Sequence, residues 1–449
     1  MTFLTTLLAF FVALGTLIVI HELGHYLVAR WCGVKVLRFS VGMGKVIFSR
    51  RFGPDQTEWA ISVLPLGGYV KMLDAREQDL AGLPAQDLQR EFTRQNVWRR
   101  IAIVAAGPLA NFLLAIVVFA GLYMHGIAEP SSKIGSPQAA SLAYNAGLRG
   151  GDVITAVNGK PTPVWSDLRW QVIQAALDKG SVQLEVERPG GAHFSTRLAA
   201  ASLAGLDLDG DVLAALGIAL ARPKARLGKI VEGGAAARAG LQQGDLITSV
   251  DGAPVADGMA LIALMRVSPG KTLMLAGVRA GQAFVLPVTP EAERSGAGTI
   301  GKIKAEVALT PEMVTIAASP IGAVAKASGK VWDTSVLTLK MMGKMVQGEL
   351  SWKNVTGPIT IADYAGQTAR HGVVSYLSFI AFISISLGVM NLLPIPVLDG
   401  GLLLYYSLEV LTGRPLPPRV GEIAQRFGMG LLLTLMALAL FNDVVRQLR

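Results

Sequence analysis

The chain is poor in cysteine, charge and histidine, and each shortage excludes something. A single cysteine, Cys32, stands in 449 residues, so no intrachain disulfide staples the fold. A lone thiol in such a chain reads as a buried apolar group rather than a metal ligand. Only 16% of residues are charged against 51% hydrophobic, too apolar a balance for an ordinary soluble protein. No stretch has zinc-finger spacing or a basic, base-reading helix, which excludes nucleic acid as a partner. The net charge of +9 then reads as attraction to a membrane surface. Histidines number five, yet two of them share one pentapeptide.

The apolar excess is concentrated in runs. Thr2–Ile20, Ile101–Met124 and Gly372–Leu398 are each long enough to span a bilayer, which takes about 20 apolar residues. Phe427–Asn442 is shorter, but Arg426 can snorkel and extend it. Four transmembrane helices are therefore expected. The first run has no basic n-region and leads into His21 rather than a small-residue cleavage site, so it reads as an anchor and not a cleaved signal peptide. Arg30 to Arg100 carries twelve Lys/Arg against seven acids, and Arg414, Arg419 and Arg426 follow the third run, placing both loops on the cytoplasmic side. The termini and the long segment from His125 to His371 then face outward.

The pentapeptide is His21-Glu22-Leu23-Gly24-His25, abutting the first run. On a helix the two histidines lie one turn apart on one face, so both imidazoles reach one metal ion. Glu22 lies about 100° further round, placed to handle water beside the metal rather than to ligate it. Ionisable groups at membrane depth mark a functional site. A catalytic zinc needs a third protein ligand and one open position. Soluble metzincins supply a histidine six residues on, but Trp31 is there, and no acid occurs between Glu22 and Asp55. The strongest remote candidate is Asp399, which follows 27 uncharged residues and precedes nine more. Pro394 and Pro396 break the helix before it, and the backbone groups they free must line a cavity.

Between the second and third runs the chain repeats itself. Ala146–Gly159 aligns with Ala239–Gly252 at an offset of 93 residues, each copy a Gly-hinged turn, a strand and an Asn-Gly or Asp-Gly turn. Helix-like stretches follow at Ser166–Leu177 and Gly258–Val267. Both copies resemble PDZ domains of the bacterial protease-associated type, which add a peptide as a strand to a sheet edge. Peptide binding, steric gating and a purely structural role all remain open for them. Further upstream, Val36–Gly44 and Trp59–Met72 are β-prone and read as a hairpin re-entering the membrane towards the metal, with a cytoplasmic surface hairpin as the alternative. An amphipathic helix is expected over Val331–Val346, and a turn over Asn354–Ile359.

HExxH in the first span and Asn391-x-x-Pro394-x-Pro396-x-Leu398-Asp399-Gly400 in a later one resemble the site-2 protease family of intramembrane zinc metalloproteases. Gly107-Pro108-Leu109-Ala110-Asn111 matches that family's G-P-x-x-N pattern, and Leu402 departs from members with histidine there. The resemblance implies a polytopic α-helical protein of the bacterial inner membrane with two inserted PDZ-like α/β domains outside. The expected division is 1–125 with the HExxH and hairpin, 126–220 and 221–310 as PDZ-like domains, 311–371 as linker and amphipathic helix, and 372–449 with the last two spans. It implies one zinc per chain held by His21, His25 and Asp399, Glu22 as general base and acid, and hydrolysis inside a single-span substrate. That substrate would be an anti-sigma factor already cut outside, or remnant signal peptides, with the PDZ pair excluding bulky outer domains. An edge strand around Ile61, Val63 and Leu64, continuing to Tyr69, is expected to capture the unwound substrate. Asn391 and Asn111 are expected to hydrogen-bond its backbone in the cavity formed by Pro394 and Pro396; helix–helix bonding is the alternative for either asparagine. A non-catalytic PDZ scaffold and a divalent-metal transporter are the competing classes.

Overall fold

A computed structural model describes residues 2–81, 83–178, 180–199, 211–295, 298–352, 355–414 and 417–447. The chain divides into two compact units, Met1–Ile127 with Ala317–Arg449, and Ala128–Ile316.

The first unit begins with α1 (Thr2–Trp31), a proline-free helix that carries the HExxH without interruption. Strands β1 (Val36–Phe52) and β2 (Thr57–Met72) follow, then α2 (Val97–His125), started by Asn96, whose side chain accepts a hydrogen bond from the Trp98 backbone N–H. The expected hairpin is present but more folded than a simple pair. β1 bends at Gly42 and Gly44, with φ of 93° and 83°, and β2 bends at Gly67, with φ of 130°. Each strand therefore contributes twice. Phe39 and Ser40 pair with Val70 and Tyr69 on one side and with Trp59 and Ala60 on the other. Trp59, Ala60 and Ile61 pair in turn with Arg50, Ser49 and Phe48. The segment Trp59–Ile61 is thus an interior strand, which corrects the expectation that Ile61 and its neighbours form the free edge. The edge is the C-terminal end of β2, Gly68–Lys71, paired only with Val41–Arg38 among the described residues.

The second unit holds the repeat. Its first half comprises β3 (Val153–Val157), β4 (Lys160–Pro161), α3 (Trp165–Leu177), β5 (Val182–Arg188) and β6 (Ala192–Leu198), in sheet order β4-β3-β5-β6. The second half repeats it with β7 (Leu246–Val250), β8 (Ala253–Pro254), α4 (Gly258–Arg266), β9 (Leu273–Arg279) and β10 (Gln282–Val288), in order β8-β7-β9-β10. Asn158-Gly159 and Asp251-Gly252 both adopt positive φ at both residues, the conformation a tight two-residue hairpin turn requires. Each half buries its own core, around Ile154, Leu168 and Leu184 in one and Ile247, Leu261 and Leu275 in the other.

The chain then returns to the first unit through α5 (Pro320–Val346), α6 (Pro358–His371), α7 (Val373–Leu392), α8 (Asp399–Thr412) and α9 (Pro418–Gln447). Among the described residues four helices are long and apolar enough to cross a membrane, Phe3–Trp31, Val97–His125, Val373–Leu392 and Arg419–Arg446, matching the expected four. Boundaries differ from expectation in several places. α5 starts 11 residues before Val331, nucleated by Ser319, whose side chain accepts from the Gly322 N–H, and by Pro320 in its first turn. The third span ends at Leu392, before Pro394. Asn354 lies outside the described residues, but Pro358 and Ile359, expected to complete a turn, open a 14-residue helix instead. α1 and α7 both pack on α2, which makes α2 the centre of the unit.

Candidate metal centre

His21 and His25 project from one face of α1 and their rings meet edge-on, centroids 4.9 Å apart and planes at 85°. The helix breaks after Leu392, and the chain winds through Leu393–Leu398 before Asp399 opens α8. That winding is tight. Val397, a β-branched residue, is held at φ 106°, and a Cβ on Gly400 or Gly401 would run into the Leu393 or Ile395 carbonyl. A Cβ on Gly428 of α9 would likewise strike the Pro396 carbonyl. The result brings a carboxylate to the two imidazoles. Asp399 Oδ2 lies 3.2 Å from His21 Nε2 and 3.5 Å from His25 Nε2, and the two Nε2 atoms are 3.3 Å apart. Asp399 is the first residue of α8, and no side chain caps the start of that helix.

The donor set fits a metal ion. His25 Nδ1 is 2.8 Å from the Ile103 carbonyl, which can only accept, so Nδ1 carries the ring proton and Nε2 presents a lone pair. That lone pair faces His21 Nε2 and a carboxylate oxygen, a cluster that a cation between them makes favourable. Three ligands on corners of a tetrahedron with bonds of about 2.0–2.1 Å should stand roughly 3.3 Å apart, which is the spacing found here. The ligand atoms all fall within 4.8 Å of one another. Two glycines make the space. A Cβ at Gly107 of α2 would collide with His25 and approach His21, and one at Gly24 would collide with the Ala106 carbonyl and hold α1 off α2.

Glu22 is buried on the adjacent face of α1 and lines the same cavity of about 280 Å³ as the three ligands. The free edge of β2 forms another wall: Gly68, Tyr69, Val70 and Met72 line it, and a Cβ on Gly68 would come within 2.8 Å of Glu22 Cγ. Asp74, Arg76 and Leu402 complete part of the rim. Of the residues expected to touch substrate, Tyr69 lines this cavity, whereas Ile61 and Val63 are exposed elsewhere on the sheet. The Leu64 side chain lies outside the described residues. Pro394 and Pro396 act on the backbone around Asp399, and Asn391 is half-buried in the last turn of α7. Asn111, expected to face substrate, is completely buried, its amide 3.1 Å from His21 Nδ1 and its backbone carbonyl accepting from Ser384 Oγ. Sequence reasoning did not single out Gly68, and gave Gly107 only as a motif position, with no role. A glycine pair inside a strand pattern, Gly67-Gly68, is a signal of close backbone approach that would have pointed to the first.

Residues 9–435 match the family described as peptidase family M50. The chain is similar to a protein of Ralstonia nicotianae provisionally named a zinc metalloprotease, 43% identical over 454 residues and covering 98% of each chain. It is also similar to the regulator of sigma-E protease RseP of Escherichia coli, 38% identical over 452 residues covering 99% of this chain and 100% of that protein. The protease RseP of Yersinia pestis is 39% identical with the same coverage.

Proposed function

The chain belongs to peptidase family M50, and from that premise we propose that it hydrolyses a peptide bond within the membrane-spanning segment of single-span membrane proteins. It is a multi-pass zinc metalloprotease of the bacterial inner membrane. One observation carries the reading: three metal-ligating side chains converge inside the apolar helices, with an unligated glutamate and a free strand edge in the same cavity.

His21, His25 and Asp399 would hold a single zinc ion. When bound, zinc supplies Lewis acidity and lowers the pKa of water. Glu22 takes a proton from the attacking water and returns one to the leaving amine. A helical substrate hides its backbone, so the scissile segment must be drawn out straight. The edge of β2 from Gly68 to Lys71 offers backbone groups unpaired on one side among the described residues, and strand addition there would lay the peptide beside Glu22 and the metal ligands. The proposed capture lies a few residues beyond Ile61–Leu64, on the segment whose edge is free among the described residues. Asn391, close to the break in α7, would hydrogen-bond the extended peptide. The relatives' names point to sigma-E regulation, which fits an anti-sigma factor, already trimmed outside, as one substrate. Remnant signal peptides present the same single apolar span. The repeat unit would lie on the outer side of the membrane.

The test is cleavage of a tagged single-span peptide by detergent-purified protein, wild type beside Glu22→Gln. Wild type should cut within the apolar segment, and the variant should keep its zinc yet lose at least about 100-fold in rate. Equal cutting by both would remove Glu22 from the mechanism, and zinc bound without cutting by either would favour a scaffold or a transporter.

A further inference from the structure

We infer that Asn111 is a positioning residue for the metal centre: its side-chain oxygen accepts the Nδ1 proton of His21 and so fixes which nitrogen of that ring faces the metal. The inference rests on the metalloprotease reading and extends it to a residue on a different helix. Three residues of α2 at four-residue spacing address the two imidazoles. Ile103 offers its carbonyl to His25 Nδ1 at 2.8 Å, Gly107 makes room for both rings, and Asn111 meets His21 Nδ1 at 3.1 Å. One stripe of one helix therefore sets both ring orientations.

The orientation of the Asn111 amide decides the chemistry. In the structure Nδ2 faces His21 Nδ1, while Oδ1 is buried with no hydrogen-bond partner among the described residues. That arrangement makes Nδ1 an acceptor and puts the ring proton on Nε2, the atom 3.2 Å from Asp399 Oδ2 and 3.3 Å from His25 Nε2. A protonated Nε2 cannot ligate. Exchanging the amide oxygen and nitrogen, which ordinary structures do not distinguish by position, moves no atom and reverses the assignment. Oδ1 then accepts from Nδ1–H, and His21 presents an Nε2 lone pair, as His25 already does through the Ile103 carbonyl. A ligating histidine is commonly held by an acceptor on its other nitrogen, and losing that acceptor weakens metal binding about 10–100-fold. Asn111 is fully buried, and Ser384 of α7 donates to its backbone carbonyl at 2.7 Å, which ties this turn of α2 to α7.

The experiment compares zinc retention by the full chain in detergent against a graded chelator, for wild type, Asn111→Leu, Asn111→Asp and Ser384→Ala. Asn111→Leu should release zinc at about 10–100-fold lower chelator concentration with helix content unchanged. Asn111→Asp, an obligate acceptor, should retain zinc at least as well as wild type, and Ser384→Ala should behave as wild type. A packing role predicts the opposite order, because a buried leucine is tolerated and a buried unpaired carboxylate is not. That opposite order, or Asn111→Leu retaining zinc as wild type does, overturns the inference. Should Asn111→Leu not fold, ¹⁵N-histidine NMR of zinc-loaded wild type decides: a proton on His21 Nδ1 is required, and one on Nε2 overturns it. Wild type that binds no zinc would instead sink the metalloprotease reading itself.

Discussion

Gly107 contributes to the metal centre by having no side chain. Alanine is the better helix former by about 1 kcal/mol, so in a plain helix Gly107→Ala would stabilise. Here the added methyl would occupy the space of the His25 and His21 rings, and the expected outcome is loss of bound zinc with helix content preserved. Zinc measured by mass spectrometry beside circular dichroism checks this; unchanged stoichiometry would mean that α1 and α2 part easily. The four chemical residues were legible because spacing and isolation expose them: His21, Glu22 and His25 by helical period, and Asp399 by 27 uncharged residues before it. Gly107 and Asn111 were not legible in the same way. Their roles depend on which face of α2 meets α1, and a four-residue spacing of apolar and small residues looks alike on every packed helix.

Among elements, the sheet formed by β1 and β2 shows where pattern reading stops. The alternating residues of Trp59–Leu64 announce a strand, but alternation carries no information on whether neighbours sit on one side or both. The glycine bends at Gly42, Gly44 and Gly67 fold each strand onto the sheet twice, leaving Gly68–Lys71 at the edge beside the cavity of the three candidate ligands. Strand addition at that edge has a periodic signature, since alternate residues of an added strand point their N–H groups at the sheet. Peptide inhibitors methylated at one backbone nitrogen at a time should lose affinity with period two along the chain. A flat or monotonic profile would sink capture by this strand. The helix Pro358–His371 was missed for a different reason. Its first turn is satisfied by Asp443 of α9, which accepts from the Gly357, Ile359 and Thr360 backbone N–H groups and from the Thr360 hydroxyl, a cap supplied 86 residues away from Gly357. Local reading of Gly357-Pro358 finds only a turn.

For the whole molecule the question is what the inserted unit Ala128–Ile316 does for a centre built entirely in the other unit. Its stability has a pH signature of its own. Burial alone would raise the pKa of Asp152 and Asp245, but the Arg188 and Arg279 guanidinium groups, with the Arg149 and Gln242 backbone N–H groups, outweigh it and hold both carboxyls below the ordinary range. A depressed folded value means stability that is present above the ordinary aspartate pKa and is lost as pH falls through the lowered value. Hydrogen exchange within this unit should therefore rise only in strong acid, and Asp152→Asn should cost it about 1–3 kcal/mol at neutral pH. Function separates two roles. A cavity of about 450 Å³ between α4 and residues 300–309 has room for peptide side chains, so the unit could deliver substrate; alternatively it could exclude substrates by bulk. The chain leaves and re-enters the first unit at adjacent points, with the Ala318 N–H donating to the Tyr123 carbonyl at 3.0 Å, so a short Gly-Ser link can replace residues 128–316 without stretching α2 from α5. Such a protein should keep its zinc and its cutting of substrates with short outer tails. If the unit is a size filter, it should also gain cutting of substrates whose outer domains are intact and folded. If instead the groove delivers substrate, cutting of every substrate should fall together, because effective concentration at the site is lost while the chemistry is untouched.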